Sequence, residues 1–381
     1  MVQGLRYLFP PLFETIQEVH DVSNTITGVL FTALLVGYAV VQFPSGLLAD
    51  KFRKDYMILF GAVGFGAASV VTFLAPGIRL LFVGAVMIGV TTGVHKTVAI
   101  PFLSETYGER KGLALGVMDT VGQLGGIIAP MLVVLILSSV FHWQNVFLIG
   151  ALVSFALAAT FYVRVSRSIR MEVTDPPDSG QKTEADIDNT SEREQTYATI
   201  FTDTKMVAFL VVAVIVTFAW NGLASFLPLY FVQAKELNVG TANLLYSLVF
   251  VASFSQAITG WLSDTLGQVR MIIILLGLVV VGIAIMLSTS LVLGLGAAAL
   301  VTGMGFHGFR PVRDSYLMEL IPSSIGGGTL GIARTAMVTI GAFAPAVLGI
   351  FSDMIGFQDT ILFVVAITVA AIGVVGVFLR E

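Results

Sequence analysis

The sequence predicts an all-α membrane protein built from two homologous halves, and three observations carry that reading. Of 381 residues, 56% are hydrophobic and only 12% charged, with a mean hydropathy of +0.92, whereas soluble chains carry about 25% charged residues. Stretches of the roughly 20 apolar residues that a bilayer crossing needs fill most of the chain. A short motif also occurs twice, as Gly46-Leu47-Leu48-Ala49-Asp50-Lys51-Phe52-Arg53-Lys54 and, more than half the chain later, as Gly260-Trp261-Leu262-Ser263-Asp264-Thr265-Leu266-Gly267-Gln268. Each copy ends one apolar segment and precedes another. Duplication of this kind usually places a pathway between the halves.

Taken in order, the predicted spans lie at 27–48, 56–76, 80–104, 113–138, 144–165, 206–231, 240–262, 271–290, 292–318, 328–351 and 359–379. The first segment, 3–20, holds Arg6, Pro10, Pro11, Glu14 and His20 and is short and polar for a span. It reads either as the inner part of a helix that starts upstream of Met1 or as a shortened helix held by its neighbours. A spanning role restores the symmetry of the halves. The expected domains are therefore an N-terminal bundle at 1–165, a linker at 166–205 and a C-terminal bundle at 206–381. The linker is rich in Asp, Glu, Ser and Thr and broken by Asp175-Pro176-Pro177-Asp178, a composition that makes a flexible tether.

Lysine and arginine mark the cytoplasmic side of a membrane chain. Lys51, Arg53 and Lys54 follow the 27–48 span, Arg110 and Lys111 follow 80–104, and Arg164, Arg167, Arg170, Lys182, Arg193 and Lys205 lie in or beside the linker. Arg270 and Arg380 fall on the same side, against only Arg79 and Lys235 on the other. The expectation is a multi-pass plasma-membrane protein, monomeric in the lipid bilayer, with both chain ends cytoplasmic.

The repeat extends beyond the motif. Pro130 and Pro345 correspond, as do Gln144 and Gln358, and Glu105 and Glu319. On these residues the chain resembles the major facilitator superfamily, whose signature loop reads Gly-x-x-x-Asp-Arg/Lys-x-Gly-Arg/Lys-Arg/Lys. Gly46, Asp50, Lys51 and Lys54 match it, and Arg53 and Asp55 depart from it. The second copy keeps Gly260, Asp264 and Gly267. The resemblance implies two six-helix bundles that rock around a central cavity. It also implies that Asp50 meets the positive N-terminus of the helix starting near Gly328, with Arg334 as a direct partner. Lys51 or Lys54 would pair with Glu105. Asp119 and Arg334, at equivalent positions of the fifth helices, read as further gate residues. The motif glycines allow close helix approach.

A charge deep in a span costs about 2.5–3.5 kcal/mol on insertion scales and marks function by default. Lys96 and Arg310 occupy equivalent positions, separated by the same interval as Gly46 and Gly260. By the resemblance, both lie on cavity-lining fourth helices and face each other. Asp314, at i+4 from Arg310, is placed for an intrahelical ion pair. That leaves Lys96 and Arg313 without a nearby acid in sequence. Asp119 or Glu14 from another helix, or a bound anion, would supply the missing charge. His307 shares a face with Arg310 and, like His95, titrates near neutrality; the bland alternative is a histidine bonded to a neighbouring helix. Trp220 and Asn221, midway along the first helix of the second half, offer an aromatic face and an amide to a solute. The expected binding residues are Lys96, Arg310, Arg313, His307, Trp220 and Asn221, with Asp314, His307 and Glu14 for proton coupling.

Other classes are excluded on simple grounds. With no Cys there is no disulfide, thiol catalysis or thiolate metal site. A net charge of −4 argues against a nucleic-acid partner. No phosphate-cradling Gly-x-x-x-x-Gly-Lys-Ser/Thr loop is present, and no nucleophile stands with a base. The chain is expected not to be an enzyme and to need no cofactor or metal. Gly326-Gly327-Gly328 reads as a hinge. The expected function is secondary transport of a small organic or inorganic anion by alternating access. A proton-coupled multidrug exporter and a non-transporting membrane sensor or scaffold are the alternatives.

Overall fold

The computed structural model describes residues 6–172, 201–321 and 326–379. The side chains of Asp50, Glu109, Lys111 and residues 165–172 and 326–328 lie outside that description, as do residues 173–200 of the predicted linker. The described residues are helical, with no strand among them. The first bundle comprises α1 (Phe9–His20), α2 (Asn24–Lys51), α3 (Lys54–Phe73), α4 (Ile78–Tyr107), α5 (Lys111–Leu137) and α6 (Asn145–Glu172). The second comprises α7 (Thr204–Gln233), α8 (Val239–Val251 and Gln256–Leu266, joined by a 3-10 turn), α9 (Gln268–Ser288), α10 (Val292–Leu320), α11 (Gly326–Ala342) and α12 (Ala344–Phe378).

Apolar sequence and internal backbone hydrogen bonding explain why these segments are helices: in lipid every N–H and C=O must be satisfied within the segment. Ten described stretches are long and apolar enough to cross a membrane. One of them, Thr329–Phe378, has 50 residues, about 75 Å of helix against a hydrocarbon core of roughly 30 Å. It doubles back at Gly356, whose φ of 83° is costly for any residue with a Cβ. The reversal brings Phe351 and Phe363 to 5.0 Å between ring centroids, a contact that a straight helix forbids. Residues 344–355 thus continue α11 past Pro345, and 357–378 form the last span. The expected loop between these spans contracts to one glycine.

α1 has 12 residues, about 18 Å, and is buried through Phe9, Leu12, Phe13 and Ile16. It is preceded by a single 3-10 turn, Arg6–Leu8, and starts on Pro10 and Pro11, positions where a missing N–H costs nothing. Packing against α2, α5 and α7 holds this short helix in place. Elsewhere, large apolar side chains such as Phe60, Leu135 and Trp261 are exposed, the surface that lipid covers.

The duplication is visible in the packing. A Cβ on Gly89 of α4 would lie 2.0 Å from the Leu34 carbonyl oxygen of α2, and one on Gly303 of α10 would lie 2.4 Å from the Val249 carbonyl oxygen of α8. These glycines are equivalent in the repeat, and each lets a fourth helix press onto the second helix of its bundle. The motif glycines differ from the expectation of close approach. A Cβ on Gly46 would find Thr97 at 3.9 Å, and one on Gly260 would find Pro311 at 3.8 Å, ordinary van der Waals distances. Gly267 is required for its backbone, with φ of 87° between α8 and α9. Gly89→Ala should therefore cost at least about 1–3 kcal/mol, as overpacked cores do, while Gly46→Ala should stay within about 0.5 kcal/mol. Thermal unfolding of the two purified variants in detergent checks both.

Candidate functional site

Two arginines, one from each bundle, converge at the centre of the molecule. The Arg6 guanidinium, in the turn before α1, donates a 2.9 Å hydrogen bond to the Tyr7 hydroxyl and lies over the rings of Tyr7 and Tyr38, 4.9 and 5.6 Å from their centroids. Arg310 of α10 lies 5.5 Å over the Trp220 ring of α7. Tyr7 sits between the two cations, close enough to interact with both. Each guanidinium thus rests a face on an aromatic ring, a cation–π arrangement that strengthens on desolvation. Both forks hydrogen-bond the Tyr7 hydroxyl, and Arg6 Nε remains buried without a partner.

Among the described residues, no carboxylate pairs with either cation. Asp314 was placed by spacing for a bond to Arg310, yet its carboxylate binds Arg313 at 2.8 Å and Arg334 of α11 at 3.1 Å. One acid is shared by two other arginines, and Arg310 is left with rings. The cation that shares Tyr7 with Arg310 is Arg6. Lys96 is half-buried on α4 and, among the described residues, has no hydrogen-bond or ion-pair partner. His95 turns toward α3, against Gly61.

Around the cations stands a wall of rings centred on Phe250 of α8. Its centroid is 4.6 Å from Tyr7, 5.2 Å from Tyr246, 5.8 Å from Trp220 and 5.7 Å from His307. The Phe250 ring also covers Gly126 of α5, where a Cβ would lie 2.3 Å from it, so the site abuts the bundle interface. His307 is fully buried, 4.8 Å from the Trp220 ring, and neither ring nitrogen has a partner. The Tyr246 hydroxyl and Asn243 Oδ1 are likewise buried and unpartnered. Asn221 is not among these groups: its amide donates at 3.0 Å to the Gly341 carbonyl of α11, a helix-to-helix bond inside the second bundle.

The bundles are tied together at the face opposite the basic loops. Asp353 accepts three hydrogen bonds from the start of α2: the Asn24 N–H at 3.2 Å, the Thr25 N–H at 2.8 Å and the Thr25 hydroxyl at 2.6 Å. Ser23, at the N-cap of α2, supplies no side-chain cap. The acid of the other bundle fills that role, and it is favoured there by the helix dipole. Gln233 of α7 donates to Glu14 at 3.2 Å and to Gln17 at 3.1 Å. Ala346 N–H donates to the Thr32 hydroxyl at 3.0 Å. Glu14 therefore belongs to this closure rather than to the central cations.

At the basic face, Lys54 pairs with Glu105 within the first bundle, and Arg53 pairs with Asp55 at 2.7 Å. Lys51, Asp119 and Asp264 are exposed. The side chains of Asp50 and of residues 326–328 at the start of α11 lie outside the description, and so does the expected contact between them. Arg334, its expected partner, engages Asp314. No group of three or more His, Asp or Glu side chains suited to a metal occurs among the described residues.

Sequence reasoning named Arg310, Trp220 and His307 but passed over Arg6, Tyr7, Tyr38, Asn243, Tyr246, Phe250 and Asp353. The usable signal lay in Arg6, a cation beside the apolar run Tyr7-Leu8-Phe9 that leads into α1. The repeat that relates Gly46 to Gly260 relates Arg6 to Trp220.

Two duplicated helical bundles around a half-buried cationic centre define a multi-pass membrane transporter. The sequence matches the Major Facilitator Superfamily over residues 1–291 and 209–381, and the chain belongs to that superfamily. A triacylglyceride transporter of Mycolicibacterium smegmatis is 27% identical over 162 residues, 42% of this chain and 28% of that protein. A probable sulfoacetate transporter, SauU, of Cupriavidus necator is 26% identical over 42% of this chain and 37% of its own length. These alignments span well under half of either relative. The multidrug resistance protein MdtG of a Rahnella species is 23% identical over 95% of this chain and 85% of its own. The fold is also that of a bacterial homologue of the human lysosomal transporter Spinster, inward-facing and occupied. The TM-score is 0.79 over 100% of this chain and 95% of that one, at 14% identity.

Removing the charge at the closure should loosen it. The chain is free of Cys, so a Thr32→Cys probe, buried beneath the closure, can be labelled without background. Loss of a helix cap costs about 0.5–2 kcal/mol, so Asp353→Asn should raise the labelling rate of that probe several-fold. An unchanged rate would mean that Asp353 does not hold the bundles together.

Proposed function

We propose that this chain is a secondary transporter that moves a small anion by alternating access, bound between Arg6 and Arg310. One observation carries the reading: a guanidinium from each bundle converges on Tyr7, with no carboxylate beside either among the described residues. Charges drawn this far out of water favour a counter-charge, and an anion would supply it while touching both halves. Guanidinium forks suit carboxylate, sulfonate and phosphate alike. The sulfoacetate transporter among the relatives is named for such an anion. Lys96, half-buried on α4 and unpaired among the described residues, adds positive potential. Arg313 is held by Asp314.

Of the groups proposed for proton coupling, His307 stands against the ring wall beside Arg310, whereas Asp314 is engaged by two arginines and Glu14 lies in the closure. In this reading the closure at Asp353 and Gln233 breaks and re-forms in each cycle, and the basic loops, with both chain ends, face the cytoplasm of the cell whose plasma membrane holds the protein. The Asp50 motif gates the other side. The protein works as a monomer, since the site uses residues of one chain.

A second reading, a proton-coupled multidrug exporter, draws on the aromatic wall around Trp220 and Phe250 and on the likeness to MdtG over most of both chains. There the arginines would be structural. A thermal-shift screen of carboxylates, sulfonates, phosphates and cationic drugs separates the two, because binding to the folded state alone raises stability by mass action. The expected result is a shift by one anion class that weakens at least tenfold in apparent affinity, about 1.4 kcal/mol, in Arg310→Ala while the variant stays monodisperse. A shift by hydrophobic cations that survives in Arg310→Ala would establish the exporter instead.

A further inference from the structure

Behind the two arginines lies a set of neutral polar groups that the reading as an anion site does not use. The Tyr246 hydroxyl, Asn243 Oδ1 and both ring nitrogens of His307 are buried without hydrogen-bond partners. Tyr246 and His307 are each fully buried, and both flank the Phe250 ring, at 5.2 and 5.7 Å. Tyr246 neighbours Tyr7 and Arg6. Asn243, one helical turn earlier on α8, is anchored by its amide, which donates at 3.4 Å to the Pro11 carbonyl of α1, leaving its oxygen as an acceptor. Buried polar atoms are nearly always paired, and each exception needs an explanation. Such atoms occur elsewhere too, at His20, Ser69, Gln144 and Gln268, but Asn243, Tyr246 and His307 stand on α8 and α10 around one ring, beside the cations. A core built only to pack would place apolar groups there, because an unmet donor or acceptor is costly in the absence of water.

We infer that the site is built for a hydroxylated organic acid, whose carboxylate lies between Arg6 and Arg310 and whose hydroxyl groups meet Asn243, Tyr246 and His307. This inference rests on the anion reading above and names the substrate class within it. The chemistry of the three groups is mixed. Asn243 Oδ1 accepts only, the Tyr246 hydroxyl donates or accepts, and neutral imidazole offers one of each. Hydroxyls, themselves donors and acceptors, answer all three, whereas a bare oxyanion or an alkyl carboxylate only accepts and leaves Asn243 Oδ1 unmet, and a cationic drug only donates and leaves the imidazole N–H unmet. The ring of Trp220 provides an apolar face for the carbon skeleton. A pocket that hydrogen-bonds a substrate hydroxyl discriminates strongly against the analogue lacking it, because its polar groups are then left unpaired.

The test compares lactate, glycerate and gluconate with propionate, hexanoate, sulfate and the neutral polyol sorbitol. Each is titrated by thermal shift and isothermal calorimetry against the purified full chain in detergent, its Arg310→Ala variant and its Tyr246→Phe variant. The expected result is that at least one hydroxy acid binds tenfold or more tightly than the deoxy acids, that sorbitol does not bind, and that Arg310→Ala abolishes the binding. Tyr246→Phe removes only an unpartnered hydroxyl, so it should leave the unliganded protein at least as stable while lowering the preference for the hydroxy acid at least threefold. Equal binding of hydroxy and deoxy acids, or a preference unchanged in Tyr246→Phe, would overturn this inference and leave the anion site standing. Failure of every anion, sulfate included, to bind would overturn both.

Discussion

Two guanidinium groups in the middle of a membrane protein, with no described carboxylate beside them, constrain what surrounds them. Arginine stays protonated under any condition a cell offers, so the structure must stabilise the charges where they are. It does so with rings: Tyr7 and Tyr38 under Arg6, and Trp220 under Arg310. Tyr7 adds a hydroxyl between them. Cation–π contacts of this kind contribute on the order of 2 kcal/mol each when desolvated. A fully buried ion carries an effective desolvation penalty of several kcal/mol, of which these half-buried groups carry a part. The deficit is what an anion would relieve, and it explains why aromatic residues of several different helices crowd one place.

The pseudo-twofold relation between the halves holds in the scaffold and breaks at the site. Gly89 and Gly303 are equivalent in position and in use, each admitting its neighbour's backbone. Arg310 and Lys96 are equivalent in position only. Arg310 finds Trp220 on the first helix of its bundle, but the counterpart of Trp220 in the first bundle is Arg6. A ring that attracts the cation in one half is replaced by a like charge in the other. Lys96 therefore has no aromatic platform to lie on, and Arg6 takes over as the cation that the first bundle presents. The two frames are alike, and the difference at one pair of positions, Arg6 and Trp220, leaves their central faces unlike.

This asymmetry also separates what the sequence discloses from what it conceals. The spans and the repeat follow from composition and spacing, because the bilayer imposes one length and one polarity on every helix, and the family follows from the resemblance of the loop at Gly46, Asp50, Lys51 and Lys54. Arg310, Trp220 and His307 were legible because a polar or aromatic residue at mid-span is rare. Arg6 was concealed by its position in a short segment, where its charge counted against a helix instead of for a site. The pairing of Asp314 was misdirected for a related reason: i,i+4 spacing states what can meet on one helix and is silent about Arg334 on the next. Asp353 lies at the end of an apolar run where an acid looks like an ordinary boundary, and only the fold brings it to the start of α2.

The contact at Asp353 shows how a closed interface can remain easy to open. The equivalent helix of the second bundle, α8, caps itself: Asn238 Oδ1 accepts the Thr241 N–H at 2.8 Å. α2 instead borrows its cap from the opposite bundle. Asp353 is exposed and Thr25 partly so, so when the bundles part, water takes over the freed N–H groups and the carboxylate. The loss is the net value of a few surface hydrogen bonds, each about 0.5–1.5 kcal/mol, rather than the penalty of a buried unpaired charge. The strong electrostatic demand sits at the centre, on Arg6 and Arg310, and the weak, water-replaceable contacts sit at the rim. In the proposed transport cycle, one closed face would be exchanged for the other without stranding a charge at the edge, so the state of the central site would decide which face is shut.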